Sequence, residues 1–183
     1  PDIVKDFLER LSVSSKTYFY LVVTYGGKPG NIGKEANSIM QKKGTGFYAM
    51  YGVKMVDTYI PMYDASKNEK IESSINPQIE EIITLIKERR IGDYLKGTVP
   101  VLINKACSFQ YKQVRKTDNL TIDESCIHCG LCAKECPEQA IEIKDHVTFR
   151  KEQCMMCLRC LHHCPVNAIK FKHKDKGQYR GLL

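Results

Sequence analysis

The chain has 183 residues, 43% of them hydrophobic, and carries 28 Lys and Arg against 21 Asp and Glu, a formal charge of +7. That length allows one domain or two small ones, and no apolar run approaches the roughly 18–20 residues that span a bilayer. A basic stretch followed by an apolar one is missing at the N-terminus, so no export signal is read, and the start at Pro1 without Met suggests an upstream portion removed or left out.

Residues 2–11 (DIVKDFLERL) place Ile3, Val4, Phe7, Leu8 and Leu11 at helical spacing, which predicts a short amphipathic helix. After a polar break at 12–16, residues 17–24 (TYFYLVVT) form a nearly continuous β-branched and aromatic run, the pattern of a strand covered on both faces. Residues 25–31 (YGGKPGN) read as a loop. Ile32, Ala36, Ile39 and Met40 mark a second helix, ended by Gly44 or Gly46.

Residues 46–53 (GFYAMYGV) predict another strand, continuing irregularly through Met55, Val56, Tyr59 and Ile60 to Pro61, and the polar, lysine-rich stretch 64–74 predicts a surface excursion. Asn76 as cap, Pro77 at the first helical position, and Glu80 and Glu81 near the positive end of the dipole then open the best-signposted helix. Ile79, Ile82, Ile83 and Ile86 supply its buried stripe, Lys87, Arg89 and Arg90 crowd its end, and Gly92 follows. Helix, strand, helix, strand, helix is an α/β pattern with parallel strands. Two strands are too few for such a sheet, so its first half is expected to be absent. Residues 94–119 read as a packed, partly helical linker, apolar at 99–103 and basic at Lys105, Lys112, Arg115 and Lys116. Cys107 lies there and reads as an inert small hydrophobe.

The other eight cysteines fall in two matching runs. Cys126, Cys129, Cys132 and Cys136 precede Pro137, while Cys154, Cys157, Cys160 and Cys164 precede Pro165, each lying 28 residues after its counterpart. Soft thiolates at two-residue gaps wrap one face of a small inorganic object, and four of them saturate the corners of a cubane. Zinc sites use separated C-x-x-C pairs, and disulfides need an oxidising compartment. The run is the general bacterial iron–sulfur pattern, whose rule assigns the fourth cysteine to the other cluster. By that rule Cys126, Cys129, Cys132 and Cys164 hold one [4Fe-4S] cluster, and Cys154, Cys157, Cys160 and Cys136 hold the other.

Crossed ligation ties the repeats together and lets about 55 residues fold with little apolar core. Eight thiolates leave no iron corner for substrate, which favours electron transfer over catalysis. Two clusters at roughly −2 each would bring the net charge to about +3, and no basic–aromatic motif points to nucleic acid. Ala140-Ile141 recurs as Ala168-Ile169, and apolar strands are read at 120–122, 142–144, 147–149 and 170–172, giving strand, cluster turns, helix and strand twice. His128, His162 and His163 read as polar surface residues, and Met155 and Met156 as shields of the second cluster.

Residues 120–172 resemble the bacterial-type two-cluster ferredoxins, with all eight ligands matching; that family often has Gly where His128 and Met156 stand here. The remainder resembles the flavodoxin-like domain of flavodoxin–ferredoxin fusions of the EFR1 type, on VVTYGGKPGN at 22–31, VKMVDTYIP at 53–61 and the order of domains. The resemblance implies an incomplete flavodoxin-like α/β parallel-sheet domain over 1–93, a linker over 94–119, an α+β two-cluster ferredoxin domain of pseudo-twofold βαβ repeats over 120–175, and a tail over 176–183. It also implies that Thr24, Tyr25, Gly26, Gly27, Gly30 and Asn31 would lie beside a flavin ring. The family's first strand and phosphate loop are not in this sequence, so FMN is expected only in a parent that has them.

The expected function is a carrier of single electrons between redox partner proteins, without membrane insertion, in the reducing cytoplasm of an anaerobic bacterium or archaeon. Competing expectations are a flavin-dependent reductase with the clusters as an internal wire, and a module that senses oxygen or iron.

Overall fold

The computed structural model describes residues 2–14, 16–60, 63–95, 117–150, 152–172 and 177–181. Cys107 and the apolar stretch 99–103 lie outside the described residues. The chain divides into two compact units, one of residues 1–57 with 67–104 and one of residues 58–66 with 105–183. The architecture is mixed α/β with a parallel three-stranded sheet, compatible with an α/β domain plus a small ferredoxin-like domain. Among the described residues no helix is long and apolar enough to cross a membrane.

In the first unit α1 (Asp2–Arg10), β1 (Tyr20–Tyr25), α2 (Ile32–Gln41), β2 (Ala49–Lys54), α3 (Asn68–Glu72), α4 (Ile75–Lys87) and β3 (Gly92–Asp93) follow one another. The sheet runs β1-β2-β3, all parallel, with Tyr20 opposite Ala49 and Ala49 opposite Gly92. The two-residue alternation of a strand sorts its side chains to two faces. Val23 and Met50 pack with Leu95 and Ile32 on one face, while Ala49, Tyr51 and Val53 meet Ile75 and Ile82 of α4 on the other. Burial on both faces explains why β2 reads as an unbroken apolar run. β1 is less covered than its composition suggests: Tyr20 is 40% and Val22 42% exposed.

α1 forms where the helical spacing predicts it, with its apolar face only partly covered: Leu8 is buried against Ala36 and Met40, whereas Ile3, Val4 and Phe7 are exposed. Lys43 instead fixes the end of that helix, its ammonium donating to the carbonyls of Leu8 at 2.9 Å and Leu11 at 2.7 Å. Asn76 does not cap α4. Ser74 stands at the cap position, and α3 leads almost directly into α4 through Ser73 N–H to Glu69 O and Ser74 N–H to Ile71 O, each 3.0 Å. Pro77 therefore lies within the first turn, where its missing N–H costs no helical bond. In the expected stripe Ile82 is buried, but Ile79 and Ile83 are half exposed.

The second unit contains β4 (Leu120–Ile122), α5 (Leu131–Lys134), β5 (Ile141–Ile143), β6 (Val147–Phe149), α6 (Arg159–His163) and β7 (Ile169–Phe171). β4 pairs antiparallel with β7, and β5 with β6. The strand entering the first cysteine run thus pairs with the strand leaving the second. Leu120, Leu158, Leu161, Ile169 and Phe171 form a small core with Ile60. β5 and β7 begin one residue before their sequence-read positions because Ile141 and Ile169 are themselves buried and paired with Phe149 and Ile122.

Candidate metal centre

Each cysteine run is shaped by backbone that turns against the normal preference of L-residues. His128 and Met156 have φ of 52° and 53°, Gly130 and Leu158 of 78° and 60°, and Gln139 and Asn167 of 50° and 52°. Every pair is 28 residues apart, so the two runs repeat in backbone as well as in sequence. Left-handed residues break the chain into tight turns that bring thiols three residues apart to one side. Asp123 starts the first run, accepting from Ser125 N–H at 3.0 Å through its carboxylate and from Cys126 N–H at 3.2 Å through its carbonyl. Beyond the fourth cysteine of each run, Ala140 N–H donates to Cys136 Sγ and Ala168 N–H to Cys164 Sγ, both at 3.2 Å. Donors aimed at sulfur favour a thiolate over a thiol.

The antiparallel strand pairs bring the end of one run beside the start of the other. One cavity is lined by Cys126, Cys129, Cys132 and Cys164, with Ile143, Val147 and Ile169 among its apolar walls. A second is lined by Cys154, Cys157, Cys160 and Cys136, with Leu120, Phe149, Met155 and Met156. Three thiols of one run therefore share each cavity with the last thiol of the other. Cys129 and Cys157 are exposed, and the remaining six are partly buried. Among the described residues no three His, Cys, Asp or Glu donors converge on a point where a single metal ion would sit. The thiols instead stand around spaces, the arrangement a multi-iron group requires.

Electrostatics points the same way. Burial pushes the Cys160 thiol up to about 12, and the charges of Cys157, Cys154 and Cys132 add to it. Cys132 is raised by burial first and then by Cys126 and Cys129. Crowded thiolates in an apolar wall are unfavourable by themselves, and bound cations reverse that sign. The donor set, its apolar walls and its amide donors fit iron–sulfur clusters.

The histidines separate into different roles. His162, read from sequence as a surface residue, is 6% exposed. Tyr179 N–H donates to its Nδ1 at 3.0 Å, so the proton sits on Nε2, which donates to Thr58 O at 2.9 Å. Burial pulls its pKa below the ordinary value. His163 remains at the surface, its Nδ1 2.6 Å from Glu135 Oε2, which also accepts from Arg159 Nε at 3.2 Å. Burial raises the Glu135 carboxyl, but His163 and Arg159 together hold it below its usual range.

Residues outside the cysteine runs complete the site. Gln178 Nε2 donates to Leu161 O at 2.5 Å and to Cys164 O at 2.9 Å, and Arg180 donates to Cys164 O at 3.1 Å. Tyr63 adds a bond to Gln178 O at 3.3 Å and an edge contact to the His162 ring. Sequence reasoning missed this clamp, because its members are isolated polar residues without period or motif that meet only in the folded chain. The flavin-loop residues lie apart from the cysteines in sequence and belong to the first unit. Thr24 and Tyr25 end β1, while Gly26, Gly27, Gly30 and Asn31 connect it to α2. A Cβ on Gly26 would stand 2.5 Å from the Cβ of Asp57, so close packing alone demands glycine there.

Residues 120–171 match the family model described as 4Fe-4S dicluster domain. This stretch supports iron–sulfur binding and an electron-transfer role for the chain. No curated protein and no solved structure matches the chain.

Proposed function

We propose that the chain carries single electrons through two [4Fe-4S] clusters, with Cys126, Cys129, Cys132 and Cys164 holding one and Cys154, Cys157, Cys160 and Cys136 the other. The observation that carries this reading is the division of the eight thiols between two cavities, three plus one in each. With four thiolates for each cubane no iron corner is left for a substrate, so the groups are suited to outer-sphere exchange. The apolar walls exclude water and limit reorganisation, and the amide donors on Cys136 and Cys164 tune the sulfurs.

Anaerobic reconstitution followed by iron and sulfide counts and EPR of the reduced protein tests the reading. About eight irons per chain and an EPR signal from interacting reduced clusters are expected. Four irons or fewer, or stoichiometric zinc, would overturn it. Flavin exchange belongs to this proposal only for a longer parent, in which Thr24, Tyr25, Gly26, Gly27, Gly30 and Asn31 would border the ring. A flavin absorption band that co-purifies with such a parent, and is lost when Tyr25 is replaced by Ala, is the corresponding expectation.

A further inference from the structure

We propose that the rim of the second cysteine cavity is the docking face for an acidic redox protein, whose carboxylates seat on Arg180 and Arg159. The inference rests on the two-cluster reading. Among the described cysteines Cys129 and Cys157 are the exposed ones, and they hold equivalent places in the two runs. Each marks where its cavity comes nearest to solvent, and a partner exchanging electrons must dock close to such a point.

The surroundings of the two thiols differ in kind. Beside Cys129 stand Ile127, 61% exposed, and Val166, 37% exposed. Beside Cys157 lies an open cleft whose wall includes Arg159, His163 and Arg180. Arg159 and His163 share one carboxylate, that of Glu135. The hydrogen bonds of Arg180 go to neutral oxygens, the Cys164 carbonyl at 3.1 Å and the side-chain oxygen of Gln178. Among the described residues its partners are thus neutral, and they hold its charge in position. Gln178, anchored on the Leu161 and Cys164 carbonyls, keeps the segment that carries Arg180 against the run.

A positioned guanidinium is suited to a carboxylate through paired N–H donors. The excess of 28 Lys and Arg over 21 Asp and Glu, reduced to about +3 once two clusters are counted, leaves a mild positive balance that favours an acidic partner. The cleft is open along its length, which suits a protein surface better than an enclosed small anion.

Two readouts on the reconstituted holoprotein test this. A fluorescein-labelled oligoglutamate is titrated by anisotropy, and the reduced protein is oxidised in a stopped-flow instrument by tris(oxalato)cobaltate(III), one electron passing to each Co(III) to give Co(II). Oligoglutamate is expected to bind and to slow the anionic oxidant. Arg180→Glu is expected to weaken both binding and rate roughly tenfold at about 10 mM salt, with the difference vanishing near about 500 mM. Cationic hexaamminecobalt(III) should respond in the opposite direction, and Arg180→Lys should keep most of the effect, which separates charge from anchoring of the segment. Unchanged binding and rates in Arg180→Glu overturn the proposal. So does protection by inorganic phosphate alone, which would assign the cleft to a small anion. Iron is counted on the same samples: about eight irons without charge discrimination overturns the docking face alone, whereas an iron-free wild type overturns the cluster reading and the docking face with it.

Discussion

The two cysteine repeats share a backbone but not a surface. Their left-handed residues match pair by pair, and the Ala140 and Ala168 amides meet Cys136 and Cys164 at the same 3.2 Å. Yet Gly130 in the first repeat corresponds to a buried Leu158 in the second, and Ile127 at one rim corresponds to the partly buried Met155 at the other. Even the cross-strand charges are exchanged. Glu142 of β5 meets Arg150 after β6, whereas Lys170 of β7 faces Asp123 after β4. Ligand geometry constrains the path of the chain, while the residues facing outward are free to serve core packing on one side and solvent or partners on the other.

The largest test of this equivalence is to remove the fourth thiol of each run. On the crossed reading Cys136→Ser costs the cluster in the second cavity and Cys164→Ser the one in the first, each lowering iron from about eight to about four per chain. The two variants should differ in stability, because Cys164 packs against the Leu158 and Phe171 core and its carbonyl accepts from Gln178 and Arg180. Resonances of residues around the surviving cluster, followed by paramagnetic NMR, identify which one is lost. Loss from the same run as the mutated cysteine would break the crossed assignment.

The two cysteine runs and the strands that flank them were largely legible in the sequence. Eight cysteines at a repeated spacing leave few alternatives, and their flanking strands alternate clearly enough to be placed within one residue. What sequence could not supply was tertiary. β3 is two residues, Gly92 and Asp93, too short for any period, and it exists through Gly92 N–H to Tyr48 O at 3.0 Å and Tyr94 N–H to Met50 O at 2.8 Å. His162 carries no local sign of burial, since Thr58 and Tyr179 come from distant parts of the chain. The segment 58–66, read as the trailing part of the first domain, packs with the second unit because Ile60 and Tyr63 find their apolar and aromatic contacts there.

A smaller effect separates backbone strain from packing. Gly130 and Leu158 occupy equivalent left-handed positions, with φ of 78° and 60°. A Cβ at Gly130 meets nothing nearer than Ile143 Cδ1 at 3.9 Å, so Gly130→Ala pays only the left-handed penalty, about 1–2 kcal/mol. Leu158 is 5% exposed and lies in the core. Leu158→Gly relieves the same strain but empties the site, and a loss of about 2–4 kcal/mol is expected after that relief. Chemical denaturation of the holoprotein compares the two. A Leu158→Gly variant as stable as the wild type would show that strain dominates in the second repeat, as it does in the first.

The smallest expected difference lies in the exchanged cross-strand charges. Arg150 holds the Glu142 carboxyl below its usual range, first through its hydrogen bond and then through its charge. A carboxylate with a depressed folded-state pKa adds stability above its unfolded value, about 4.3, and that contribution is lost as pH falls through the lower folded value. Glu142→Gln should therefore lower the melting temperature slightly at neutral pH, and the difference from wild type should close in acid. Asp123 and Lys170 stand 3.9 Å apart with Asp123 half exposed, and a pair at that distance in contact with water adds little. Asp123→Asn should move the melting temperature less than Glu142→Gln, although its side chain also accepts from Ser125 N–H at 3.0 Å, a bond that the Asn oxygen preserves. Equal shifts from the two substitutions would mean that the cross-strand pairs are energetically equivalent despite their different geometry, and that the repeats diverge only where they pack or face a partner.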